Sequence, residues 1–170
     1  MTPMKQRCRT RCEDMLTMTA ATFPEIDTPG MRLITRLFRL RDLIFENALR
    51  EMDHFGLSQA EYAVMATLRK SPAPHELRPA DICKGMLLSS GGLSKVVHGL
   101  EHRGLVERRD ADEDRRGSLV RLTSTGIALA EQSMKAVIGS DIALLQRVAD
   151  TDQLEALAEA LRPFTEALDR

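Results

Sequence analysis

Tryptophan is absent, tyrosine occurs once (Tyr62), and aromatic residues make up only 4% of the 170. A core must therefore be built from Leu, Ile, Val, Met and Ala, which favours helices over a β-sandwich or barrel. Cys8, Cys12 and Cys83 are the only cysteines, too few for a disulfide framework, so a reducing cytoplasm is expected. No apolar run approaches the roughly 20 residues of a membrane span, so no membrane partner is expected. Basic residues near the start (Lys5, Arg7, Arg9, Arg11) are followed by Glu13 and Asp14 rather than an apolar stretch, so no secretory leader is expected. Neither sign of charge dominates: 24 Lys and Arg face 25 Asp and Glu, for a formal net charge of −1. That excludes a general polycation's affinity for nucleic acid but leaves room for a local basic surface. A nucleophile elbow, a phosphate loop, a zinc-hydrolase motif and a dinucleotide fingerprint are all missing, so neither an enzyme nor a cofactor is expected.

What is present is enough apolar sequence, 43%, to bury a core. Charge is unevenly spread. Residues 1–41 carry eight Lys and Arg against four acids, and residues 123–170 carry four against eight. Residues 1–30 read as an extension punctuated by Pro24, Pro29 and Gly30, with one short helix over 11–21. Leu33, Leu37, Leu40, Ile44 and Leu49 set a helical period over 31–55, widened by Phe38, Phe45 and Met52, and Gly56 is placed to cap its end. Ser58 with Glu61 forms a capping box for a second helix running to about residue 70, where Pro72 and Pro74 enforce a break. Arg78-Pro79 opens a short third helix. Ser89 or Ser90 caps a fourth, ending at 102–104. After Gly104 the period changes: 105–109 and 118–122 read as the two strands of a hairpin with a charged, turn-forming tip. Thr123 or Ser124 starts a long helix to about residue 148, and Thr151 a last one to about residue 168.

Three helices followed by such a hairpin make a winged helix-turn-helix, so the fold expected is mainly α with a small β-hairpin wing and a helical dimerisation region. The DNA-reading helix must be apolar on one side, to stay seated, and small and polar on the other, to approach base edges. Residues 89–103 meet both demands. Leu93, Val96, Val97 and Leu100 fall on one side. Ser90, Gly91, Ser94, Lys95, His98 and His102 fall on the other. Gly91 and Gly92 lack side chains, so the helix start can approach a phosphate. At the hairpin tip Asp114 can orient a neighbouring guanidinium while Arg115 or Arg116 enters the narrow, negatively charged minor groove. The DNA-binding set is therefore Ser89, Ser90, Gly91, Ser94, Lys95, His98, Asp114, Arg115 and Arg116. The boundaries expected are 1–30 for the extension, 57–123 for the winged domain, and 31–56 with 124–170 for dimerisation.

Over about residues 31–168 the sequence resembles the MarR family of transcriptional regulators. The resemblance is carried by Leu57-Ser58-Gln59-Ala60-Glu61-Tyr62, by Leu88-Ser89-Ser90-Gly91-Gly92-Leu93-Ser94, and by Leu100-Glu101-His102-Arg103-Gly104-Leu105-Val106-Glu107-Arg108. Its most specific part is Asp114-Arg115-Arg116-Gly117 with Leu122-Thr123 and Gly126. It implies a homodimer whose first and last helices intertwine. Two winged domains would read double-stranded DNA at a pseudo-palindromic operator, with half-sites about one turn, ~10 bp, apart. A small-molecule effector would release a repressor from that operator. Within the family the sequence is most similar to the urate-responsive branch, through Leu77-Arg78-Pro79, the Ser-Ser-Gly stretch and the extension. Of that branch's ligand residues only Arg108 is matched: Ala63 and Val96 stand where an Asp and an Arg would be, and there is no Trp. A different effector is therefore expected. Arg32 and Arg36, on the basic stripe of the 31–55 helix, join Arg108 as candidates to bind an acidic one.

Other signals compete with these. Cys8 and Cys12 are four apart and flanked by arginines, which raises thiol reactivity, so a thiol-based redox-responsive regulator is one alternative. Cys83 reads as buried packing. His98 and His102 are also four apart, but two ligands without a third make no metal site. The arginine stripe has an ordinary reading too, a solvated face paired with acids of a neighbouring helix. The remaining alternative is a winged-helix protein-interaction module that does not read DNA.

Overall fold

A computed structural model describes residues 10–84, 90–110 and 118–169. These contain seven α-helices and three short strands, the mainly helical winged architecture expected. The chain divides into two compact units, one running to Glu46 and the other beginning at Asn47.

The first unit holds α1 (Cys12–Thr22), a 3-10 turn (Pro24–Ile26) and the first turns of α2 (Pro29–His54). No side chain caps α1, but Glu13 and Asp14 occupy its first turn, where the helix dipole favours negative charge. The start of α2 is set earlier than the apolar period indicates. The Thr28 hydroxyl accepts from the Met31 N–H at 3.2 Å, and Pro29 stands at the first helical position, where no N–H is needed.

The second unit carries α3 (Gln59–Lys70), β1 (Glu76–Leu77), α4 (Pro79–Lys84), α5 (Ser90–His102), β2 (Val106–Asp110), β3 (Ser118–Leu122), α6 (Ser124–Gln146) and α7 (Thr151–Leu168). α2 ends where Gly56 takes φ +61°, a left-handed conformation that costs glycine nothing. The Gly56 N–H then reaches the Asp53 carbonyl and the Leu57 N–H the Met52 carbonyl. The Ser58–Glu61 capping box is fully formed. Thr123 caps α6, while α7 is capped by Asp150 rather than Thr151, because the Asp150 carboxylate accepts from the Gln153 N–H at 2.9 Å.

The sheet runs in the order β1-β3-β2, all antiparallel, with Val106 opposite Leu122, Arg108 opposite Val120, and Glu76 opposite Arg121. β1 was not legible as a strand, since two residues cannot display a period. It is held by pairing to the outer edge of β3. The core of this unit joins α3, α4, α5 and the sheet. Met65, Leu68, Ile82, Leu100 and Val120 are completely buried there. Each such aliphatic side chain contributes about 1.5–3 kcal/mol of apolar burial, so the set fixes where α5 lies. No helix among the described residues is long and apolar enough to cross a membrane.

Candidate nucleic-acid interface

α5 is seated by Leu93, Val97 and Leu100, which are 2%, 1% and 0% exposed and recur at the four- and three-residue steps of one helical face. Its opposite face is open. Gly91, Ser94, Lys95, His98 and His102 are all exposed. Among the described residues Lys95 has no acidic partner, so its ammonium is available to a phosphate or a base edge. Ser90 opens α5. Ser89, Asp114, Arg115 and Arg116, with Cys8, lie outside the described residues.

Acids beside α5 are occupied by neighbouring cations, which keeps the negative charge near this face paired. Glu61 accepts from Arg103 at 3.0 Å and Glu101 faces Arg108 at 3.6 Å. On β2 and β3, Glu107 faces Arg121 at 3.9 Å. Burial pushes the Glu61 carboxyl upward. The Ser58 backbone N–H, the Ser58 hydroxyl and Arg103 outweigh it and hold the group below the usual carboxylate range.

α5 ends in the motif that also ends α2. Gly104 has φ +67°, its N–H donates to the Glu101 carbonyl at 2.9 Å, and the Leu105 N–H donates to the Leu100 carbonyl at 2.9 Å. The chain then reverses into β2 with Leu105 and Val106 buried. Two residues on from Val106, Arg108 falls on the same face of the sheet. It lines a cavity of about 390 Å³ with Pro79, Cys83, Ser94, Val97 and Val120, so a wall of that cavity is α5 itself. Cys83, read as buried packing, is only half-buried and borders this space.

Arg32 and Arg36 belong to the first unit and Arg108 to the second. Arg32 is paired with Asp27 at 2.8 Å. Arg36 grips Glu13 of α1 through Nε at 3.0 Å and Nη2 at 2.8 Å. These two hydrogen bonds hold the Glu13 carboxyl below, and the Arg36 guanidinium above, their ordinary values. Arg32 and Arg36 are thus each paired with an acid of a neighbouring segment. Among the described residues no three His, Cys, Asp or Glu side chains are grouped to hold a metal ion.

Sequence reasoning missed three features. Asn47, buried near the end of α2, donates to Ser140 and Asp141 of α6, each at 2.9 Å, across 93 and 94 residues of chain. Arg69 pairs with Glu131, tying α3 to α6 beside a groove of about 720 Å³ lined by Lys70, His75, Lys135 and Ile138. Thr123, read only as a cap, also bonds the residues that end α5. Long sequence separations hid the first two, and the third needs the geometry of the turn at Gly104.

Residues 55–117 match the model of the MarR family. The HTH-type transcriptional regulator PecS of Dickeya dadantii is 25% identical over 130 residues, 76% of this chain and 78% of PecS. The multiple antibiotic resistance protein MarR of Escherichia coli is 29% identical over 124 residues, 73% and 81% of the two chains. Over these residues the chain is similar to the MarR family of transcriptional regulators. Solved MarR-family structures share its fold. AbsC of Streptomyces coelicolor superposes with a TM-score of 0.68 at 23% identity, covering 84% of this chain and 96% of AbsC. Sco3205 from the same organism, solved in complex with DNA, gives 0.67 at 23% identity, covering 84% and 90%. In the shared winged-helix fold α4 and α5 stand at the place of a helix-turn-helix pair, with α5 the candidate recognition helix, and β2 with β3 at the place of the wing.

Proposed function

We propose that this protein is a cytoplasmic homodimeric repressor of the MarR family that reads a pseudo-palindromic operator and is released from it by a small organic anion. The observation that carries the DNA reading is α5: three buried leucine and valine anchors on one face, with Gly91, Ser94, Lys95 and His98 open on the other. Ser89, Ser90 and the wing residues Asp114, Arg115 and Arg116 complete the contact set. Small side chains let the helix approach base edges, while wing guanidiniums suit the electronegative minor groove.

Exposed apolar side chains support the dimer. Leu33, Ile34, Leu37 and Phe38 on α2 are at least 36% exposed, as are Leu157, Phe164 and Leu168 on α7, where none of the described residues is buried. Two-fold pairing of such faces covers them and spaces the two recognition helices about one turn of DNA apart. The cavity beside Arg108 supports effector release, because an anion drawn to that guanidinium would lie against α5. A ligand that favours a pose of α5 mismatched to the half-site spacing lowers operator occupancy by population shift. Arg32 and Arg36 serve an effector only by giving up Asp27 and Glu13. A gel shift with the DNA upstream of the protein's own gene, titrated with salt, tests the reading. Retardation that Arg116→Ala weakens while the dimer persists supports it, and an unchanged affinity refutes the wing assignment.

A thiol-responsive reading draws support from Cys12. It is only half-buried and borders a cavity of about 490 Å³ in the first unit together with Arg39 and Phe38. Mass spectrometry after mild peroxide tests it: a mass change at Cys8 or Cys12 that lowers retardation supports the reading, and unmodified cysteines refute it.

A further inference from the structure

Three segments of the second unit meet at Thr123. Its hydroxyl donates to the Gly104 carbonyl at 2.7 Å and accepts from the Gly126 N–H at 3.0 Å, and its backbone N–H donates to the Leu105 carbonyl at 3.1 Å. Gly104 and Leu105 are the residues on which α5 ends. One side chain therefore ties the turn that ends α5 to the first turn of α6. Capping needs only the accepting half of this arrangement, which Ser, Thr, Asp and Asn all supply. The donating half goes beyond capping.

Little slack exists at this junction. A Cβ built on Gly126 would fall 1.9 Å from the Leu105 carbonyl oxygen, so the backbones of α6 and of the α5–β2 turn are in direct contact. At its far end α6 is fastened again, by Asn47 to Ser140 and Asp141 and by Ser140 to Glu51. A helix of 23 residues is a rod about 34 Å long, so a tilt at residue 140 becomes a displacement at residue 124.

We propose that Thr123 is a positioning residue: its hydroxyl sets the pose of α5 against α6 and thereby the match of the recognition helices to the operator. The assignment rests on the DNA-reading function proposed above. Thr123 sits at the junction of α6 with the turn after α5 rather than on the open face of α5, so it acts on specificity through α5 and leaves the sequence-independent phosphate affinity unaltered.

The test separates capping from tethering at pH 7. Wild-type protein first enriches duplexes from a random pool. Affinity for the enriched duplex divided by affinity for the starting pool is the specificity ratio, which cancels charge effects common to all DNA. Thr123→Ser keeps donor and acceptor. Thr123→Asp keeps the acceptor and lacks the donor. Thr123→Val lacks both. Ser is expected to hold the ratio within about twofold, and Asp to lower it about tenfold, the size of one lost hydrogen bond, with helical content unchanged. Val is expected to fall at least as far, and if it does not fold the Ser–Asp comparison decides. A wild-type ratio in Thr123→Asp overturns the proposal while leaving DNA reading intact. Unfolding of Thr123→Asp, whose cap is present, makes the bond one of stability alone and also overturns it, as does a ratio that Ser lowers as much as Asp. Failure of the wild-type protein to enrich any duplex overturns the DNA reading itself.

Discussion

Gly126→Ala isolates the contact between α6 and the turn that leaves α5. The added methyl carbon would sit 1.9 Å from the Leu105 carbonyl oxygen, 2.9 Å from its carbon and 3.2 Å from Leu122 Cδ2. The first two atoms are backbone and Leu122 is 2% exposed, so no flexible side chain can yield. α6 must slide away by more than an ångström. That movement strains the packed junction at about 1–3 kcal/mol and breaks the bond from the Gly126 N–H to Thr123, a cap worth about 1 kcal/mol. A loss of about 2–4 kcal/mol is expected, or roughly 10 °C in melting temperature for a unit of this size. Denaturation followed by far-UV circular dichroism, at fixed protein concentration because the melting of the proposed dimer would depend on it, measures the loss. Gly99→Ala is the control. Nothing lies within 4 Å of a Cβ there, so helix propensity alone acts and the change is expected to be neutral or stabilising by up to about 1 kcal/mol. A loss below about 0.5 kcal/mol for Gly126→Ala would refute the steric argument.

Three further outcomes are expected. The Glu61 carboxyl is held below its ordinary value in the folded chain, so its contribution is complete above the usual glutamate range, near pH 4.3, and is lost as pH falls through the lowered value. Glu61→Gln should remove about 1 kcal/mol at pH 7 and flatten the acid limb of a stability-against-pH curve. Asn47→Ala leaves the half-buried Asp141 without a donor and should cost about 1–3 kcal/mol in urea unfolding, whereas an unchanged midpoint would show the network to be inert. Lys95→Ala should weaken DNA retardation and reduce the slope of log affinity against log salt by about one, and an unchanged slope would place Lys95 away from phosphate.

Much of the fold could be read from the chain because its signals are local. Ser58 with Glu61, Gly56 and Gly104 mark helix ends within four residues, and Leu93, Val97 and Leu100 show the seated face of α5 by period alone. The open face opposite it was legible for the same reason. Partnerships that cross the chain were not. Arg36 reads as a ligand anchor or a surface cation until Glu13 is placed against it, and Arg108 borders a cavity only because β2 folds back under α5. The Thr123 tether was half legible: its position announces a cap, but the Gly104 carbonyl that accepts its hydrogen bond is brought near only by the reversal after α5.

The proposed function places the open face of α5 against DNA bases. A photo-crosslinking amino acid at position 94, with a second protein carrying it at position 159 on α7, tests that most directly in the presence of an enriched duplex. Crosslinks to bases within the half-sites are expected from position 94 and none from position 159. Crosslinks from position 159 with none from position 94 would contradict that placement.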